Sequence, residues 1–314
     1  MKPLLFLFFP LIATLSAQQP PPPPPPDGGT AGNGIPGGNL DLSQLPVPEA
    51  DKKNTPKFSE AEAKSLPVMV SVVPLGSVPP PIIYLDASGM PREKYREPLE
   101  YPPTSFQIAT EKGSIRFTGA QNQIASPATV PRREQLALSF EIPPGENDVP
   151  TKGQTGPKLK TIGNITVPSG ATHLIVVLWK DPAEKLWKNP SFKVLDVSPA
   201  SVKGHEAVVI NASGRDLAIE RGDAPYKIRP GFMGKIALPV NENGEIPMFV
   251  AASMGVGWHQ LSRTVLGPGK DERVFVLAWQ SPESPAQPAG VSLQAVAKRL
   301  PEAKPLVASA DHGG

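Results

Sequence analysis

Four histidines, His173, His205, His259 and His312, are the only imidazoles in the chain. No two stand at i, i+2 or i, i+4, and no HExxH run occurs, so a histidine metal centre has no local frame. Cysteine is absent, which removes thiolate nucleophiles, disulfides and zinc–thiolate sites together. The expectation is no metal and no cofactor. His312 lies in the terminal tail and His173 between a Pro-Ser-Gly turn and an apolar run, so both are expected at the surface.

Serine chemistry has no better support. Neither a GxSxG elbow nor a glycine-rich phosphate loop is present. Ser88 and Ser213 sit in the similar stretches Ala87-Ser88-Gly89 and Ala212-Ser213-Gly214, where small polar residues and glycine suit a turn. Asp86, Asp196 and Asp216 fall near turns or strand ends, and no frame pairs them as acid and base. No catalytic residue is assigned, and a secreted hydrolase is the third and least favoured functional reading.

The aromatic residues offer more. Trp179 and Trp279 end the apolar runs LIVVLW and VFVLAW, which points to packing in a core. Trp187 and Trp258 stand among polar and glycine residues, and Tyr95 and Tyr101 lie in the charged, proline-flanked loop MPREKYREPLEYPP. These four, Trp187, Trp258, Tyr95 and Tyr101, are the possible ligand contacts, with stacking on sugar rings as the chemistry. Arg221-Gly222-Asp223 is read as a turn between two strands. Asn164-Ile165-Thr166 and Asn211-Ala212-Ser213 have the form of glycosylation acceptors.

What must position these residues is a set of strands. From His205 to Gln280 the chain reads EAVVINASG, DLAIERG, YKIRPG, KIALPV, IPMFVAAS, WHQLSRTVLG and RVFVLAWQ. These are short β-branched and aromatic runs, each closed by Gly, Pro, Asn or Asp about every 8–12 residues, the pattern of an antiparallel sandwich. Strand signals also run from Val68 to Trp179. Four ordered matches suggest a duplication: Tyr84–Gly89 with Val209–Gly214, Phe106–Ile108 with Tyr226–Ile228, Gly113–Ile115 with Gly234–Ile236, and Thr166–Pro182 with Thr264–Pro282. The fold class expected is all-β, two tandem antiparallel β-sandwich domains of immunoglobulin-like type. Val291–Leu300 (VSLQAVAKRL) is expected as a short C-terminal helix, and Ser59–Ser65 as another.

The 314 residues include 42 prolines and 28 glycines, and the net charge is only +2. That balance makes no field for a polyanion, so nucleic acid is not an expected partner. Residues 1–17, MKPLLFLFFPLIATLSA, have the lysine, apolar run and small-residue end of a signal peptide. The Pro/Gly-rich stretch 18–66, which contains Pro20–Pro26, reads as an extended disordered linker. Sandwich domains are placed at 67–183 and 190–282, with a linker, the short helix and a tail at 283–314. No later run has membrane length, so the mature chain is expected to be exported with no membrane span: periplasmic, at the cell surface or extracellular.

Pro168, Gly170, Asp196, Ser198, Pro199, Asn211, Ser213, Gly214, Arg215 and Pro230-Gly231 carry a resemblance to a group of exported bacterial proteins with duplicated β-sandwich domains and no known activity. It covers roughly Ile165 to Trp279 and implies export and a two-part β-sandwich. It brings no functional residue. The function expected is a non-enzymatic structural or protein-interaction role in the cell envelope, with a carbohydrate-binding β-sandwich module as the alternative. The partner would be an envelope protein or a polysaccharide.

Overall fold

A computed structural model describes residues 66–301, except 112, 145–156, 204–205, 222–223, 256 and 270. The expected signal peptide, the linker up to Ser65, the Ser59–Ser65 helix, His205, His312 and the tail beyond 301 lie outside these residues. So do Gly222 and Asp223.

Ten strands come first: β1 (Val68–Leu75), β2 (Ile82–Leu85), β3 (Pro91–Lys94), β4 (Ser105–Thr110), β5 (Gly113–Thr118), β6 (Ala128–Val130), β7 (Gln135–Ile142), β8 (Lys158–Thr166), β9 (His173–Trp179) and β10 (Ser191–Asp196). Eight follow: β11 (Glu206–Ala212), β12 (Leu217–Arg221), β13 (Ala224–Ile228), β14 (Met233–Ala237), β15 (Ile246–Ser253), β16 (Trp258–Leu266), β17 (Glu272–Gln280) and β18 (Val291–Arg299). Among the described residues there is no α-helix, and no helix is long and apolar enough to cross a membrane.

The strands form four sheets of four and one hairpin. The sheet orders β10-β9-β1-β6 and β5-β4-β7-β8 recur as β18-β17-β11-β14 and β13-β12-β15-β16. Each half has a parallel pair at its centre, β1 with β9 and β11 with β17. Each also has a register shift at the same place, at Leu138/Ser139 between β7 and β8 and at Val250/Ala251 between β15 and β16. Among the described residues only the β2–β3 hairpin has no counterpart.

Side-chain alternation explains the layering, because successive residues of a strand point to opposite faces. Val68, Val70 and Val72 of β1, with Leu174, Val176 and Leu178 of β9, pack with Phe106, Ile108, Leu136 and Phe140 of the neighbouring sheet. Val209 and Val276 similarly pack with Leu217, Ile219 and Val250. The intervening residues make a third cluster: Val73 and Leu75, Ile175 and Val177, Val208 and Ile210, Phe275 and Leu277. The sheets that hold the parallel pairs are therefore apolar on both faces and pack on each other. This is why β1 and β9 read as continuous apolar runs and not as alternating ones. Among the described residues there are thus three such clusters, and the third joins the halves.

Three expectations are corrected. Val291–Arg299 is a strand, paired antiparallel with β17 over nine residues from Gln280↔Val291 to Glu272↔Arg299. Val291, Leu293, Ala295 and Ala297 face one cluster while Val296 faces the other, a period of two that outweighs the helical reading once β17 offers an edge. Ser191–Asp196, placed by sequence at the start of the second domain, pairs instead with β9 of the first sheet. Finally, of the four repeat matches only Thr166–Pro182 with Thr264–Pro282 joins topological equivalents, β9 and β17. Tyr84–Gly89 lies in the β2–β3 hairpin whereas Val209–Gly214 belongs to β11 and its turn.

Candidate binding groove

A groove of about 1220 Å³ opens at one end of the first pair of sheets. Its walls come from the segment after β1 (Val78, Pro79, Pro81), from the chain after β3 (Tyr95 to Ser105) and from the end of β7 with its continuation (Phe140 to Pro144). Proline lines much of it. Proline offers no N–H and holds φ fixed, so these walls are pre-shaped and cannot be closed by backbone pairing.

Arg96 holds the groove together. Its Nε donates to the Pro80 carbonyl at 2.7 Å, and its Nη1 reaches Glu100 Oε2 at 3.1 Å. Glu100 sits on a 3₁₀ turn, Pro98–Glu100, and is buried, with Lys185 Nζ 3.2 Å from its other oxygen. Burial raises the Glu100 pKa, but the hydrogen bonds from Lys185 and Arg96 outweigh it and hold the carboxyl below its ordinary range. On the β7 side, Gln107 Nε2 and Arg116 Nε each donate to Glu141 Oε1 at 2.6 Å. The Gln107 bond is the main reason that the Glu141 carboxyl is also lowered, against its burial. Both carboxylates are thus fixed anions with structural partners, not proton donors at neutral pH.

The four aromatic candidates separate. Tyr95 and Tyr101 both line this groove, Tyr95 exposed and Tyr101 half-buried. Trp258 is exposed at the start of β16, in the other half of the chain. Trp187 is 1% exposed and belongs to the first core, so it is no ligand platform. Its polar neighbours suggested solvent, but its backbone N–H donates to the Leu99 carbonyl at 2.6 Å and its side chain packs in the first core, against which Leu99 also lies. Trp187 is therefore tied to Leu99, one of the residues that line the groove. Sequence reasoning missed Arg96 and Glu100; their i, i+4 spacing around Pro98 was the available signal.

A shallower cleft of about 550 Å³ lies where the two halves meet, lined by Ser77, Gln121, Asn122, Gln123, Trp279 and Gln294, with Val78. Asn122 has φ +56°, a left-handed conformation. Its side-chain amide both accepts from Gly76 N–H and donates to Gly76 O, each at 2.9 Å, which holds that strained backbone. Trp279 is partly buried against the third cluster, so its packing role as expected and a place at a cleft coexist.

The remaining candidates are structural. Asn211 is fully buried, donating to Arg215 O and Ile228 O and accepting from Ser213 N–H and Oγ–H. That satisfies the amide completely and explains the Asn-x-Ser spelling as a turn. Asn164, by contrast, is exposed on β8. Ser88 Oγ donates to Asp86 Oδ1 at 2.6 Å within the β2–β3 turn. His173 is buried, not at the surface: β9 lies between two layers, and even its first residue is covered. Nδ1 lies 3.0 Å from Thr172 Oγ1 and Nε2 meets the Pro301 carbonyl. Burial is the main cause that lowers its pKa. Among the described residues no three His, Asp or Glu side chains gather where they would hold a metal ion. No family model matches the chain, and no curated protein matches it.

Proposed function

We propose that this chain is a non-enzymatic, exported structural or protein-interaction protein of the cell envelope. It consists of two copies of one immunoglobulin-like sandwich carried behind a signal peptide and a Pro/Gly spacer, and its first copy binds an envelope protein. The observation that carries this reading is the groove. It is apolar and proline-walled, carries two tyrosines, and its carboxylates are already committed to Arg96, Lys185, Gln107 and Arg116. Rigid amphipathic rings in a preformed concavity favour binding over bond-making chemistry. The strand repeat supports the two-copy reading, since two unrelated domains have no reason to share the order, the parallel centre and the bulge position. The test is a pull-down from envelope extract with the chain from Gln18 onward as bait. Recovery of one protein, lost when Tyr95 and Tyr101 become Ala, supports the reading; equal recovery by that variant defeats it.

One observation favours the carbohydrate alternative. Trp258 is exposed, and the cleft beside Trp279 is furnished with the amides of Gln121, Gln123 and Gln294, groups that suit sugar hydroxyls. Retention on an insoluble polysaccharide that is lost with Trp258→Ala or Trp279→Ala would replace the first reading by this one.

A further inference from the structure

The groove is built mostly from a segment that the second half lacks. Residues 76–104 join β1 to β4, whereas residues 213–216 suffice to join the corresponding strands β11 and β12. Val78, Pro79, Pro81 and the stretch from Tyr95 to Thr104 all lie in this longer connection. A long connection laid over one of two like scaffolds marks where that scaffold has a task of its own.

The chemistry of the walls selects what fits. Pro79, Pro81, Pro143 and Pro144 supply no N–H, so an incoming strand finds no alternating ladder to pair with. The groove offers aromatic faces and side-chain donors instead. Tyr95 is 73% exposed. The half-buried Tyr101 accepts from the Arg96 backbone N–H at 3.4 Å, which leaves its own hydroxyl proton to donate outward. Arg96 commits Nε to the Pro80 carbonyl and Nη1 to Glu100, and Nη2 is the remaining nitrogen of the fork. Glu141, the one carboxylate among the lining residues, is occupied by Gln107 and Arg116. Lys158 lines the groove at the start of β8, exposed and with no ion-pair partner among the described residues. The side chains that face a ligand therefore donate hydrogen bonds and carry one uncompensated positive charge.

We infer that the groove takes an extended proline-rich segment of the partner, with an acidic residue at the end that reaches Lys158. The inference rests on the reading of the groove as the site for an envelope protein, and it names the part of that protein that is held. A prolyl peptide bond carries a carbonyl acceptor and no N–H, the complement of side chains that donate. An ordinary segment would bring one N–H per residue to a wall whose single carboxylate is already committed. Proline rings lie well on aromatic faces, and a polyproline helix is extended before it binds, so little chain entropy is lost on docking. The unpaired ammonium of Lys158 supplies the charge that a carboxylate on the segment would meet.

The probe is a fluorescent peptide of consecutive prolines ending in aspartate. The protein is the chain from Gln18 onward with Pro20–Pro26 each changed to serine, so that this tract does not compete with the probe. Fluorescence anisotropy is expected to show saturable binding. Tyr95→Ala with Tyr101→Ala is expected to weaken it at least about tenfold, the loss of two stacking faces. Tyr101→Phe keeps the ring and is expected to weaken it about threefold through the hydroxyl alone. A peptide ending in asparagine is expected to bind more weakly than the aspartate one, and Lys158→Ala to erase that difference. Unchanged thermal unfolding of Tyr101→Phe and Lys158→Ala shows that the fold is kept. An alanine peptide that binds as well as the proline one, or proline binding indifferent to both tyrosines, overturns the inference. Absence of peptide binding overturns it too; where the pull-down still recovers a partner that depends on Tyr95 and Tyr101, the groove stands as a binding site and only its proline ligand falls.

Discussion

A Cβ placed on Gly76 would lie 3.0 Å from Cζ2 of Trp187, so the chain leaving β1 passes directly against the indole that closes the first core. Gly76 also anchors Asn122, which lines the cleft between the halves, through both of its backbone groups.

Trp187→Ala is expected to cost about 3–5 kcal/mol, the usual range for deleting a large aromatic from a packed core. Chemical denaturation measures it. Because Leu99 packs against the cluster that contains Trp187, limited proteolysis in the 95–101 segment is expected to accelerate more than elsewhere; unchanged cleavage there would separate the tryptophan from the groove.

His173 predicts a pH dependence. Its folded pKa is lowered below the ordinary value of 6.5, chiefly by burial, with Arg273 adding repulsion and Asp196 and the Pro301 carbonyl opposing. The unfolded chain therefore takes up a proton first as pH falls, and stability contributed by the neutral ring declines below pH 6.5 until the folded pKa is reached. His173→Gln is expected to unfold at lower temperature at pH 7.5 but to lose less on moving to pH 5.5. A parallel decline in both proteins would show that other groups govern the acid limb.

Asn211→Leu removes an amide that serves four backbone and side-chain partners inside the second half, taking a donor from the Arg215 and Ile228 carbonyls and the acceptor from Ser213. A loss of about 2–4 kcal/mol is expected. Asn164→Leu, at an exposed β8 position, is expected to change stability by less than about 0.5 kcal/mol. Similar costs at the two sites would contradict the structural role given to Asn211.

A chain ending at Gly290 lacks β18. It would leave the β17 edge bare and strip Val291, Leu293 and Val296 from two apolar clusters. Expression as insoluble aggregate is the expected outcome, because a long apolar edge recruits other chains. A soluble, cooperatively folded product would mean that β18 is dispensable.

The Asp86 carboxyl is lowered to about 2, first by the Ser88 hydroxyl and then by Arg92, so the β2–β3 turn keeps its anion throughout ordinary pH. Its contribution is present above the unfolded value of 3.8 and fades only as pH falls toward 2. Hydrogen exchange of the Ser88 and Met90 amides is expected to stay slow at pH 4 in the native chain and to become fast at every pH in Asp86→Ala.

Much of this was written locally. The runs LIVVLW and VFVLAW, the Gly/Pro punctuation and the match of Thr166–Pro182 with Thr264–Pro282 identify strands and one pair that holds equivalent places in the sheet orders, because alternation and turn chemistry are properties of a few adjacent residues. Of the site, Tyr95 and Tyr101 were legible as aromatics in a charged loop, and the groove joins them.

Other features depend on what lies opposite. Trp187 and His173 sit in polar surroundings along the chain yet are buried, since burial is set by layers that arrive from far away in sequence. Val291–Arg299 carries both a helical and an alternating pattern, and only the free edge of β17 selects the strand. The third cluster exists because β1, β9, β11 and β17 are apolar on both faces. A one-dimensional pattern records that doubly apolar character, but the partner that covers the second face is chosen by the packing of one half against the other.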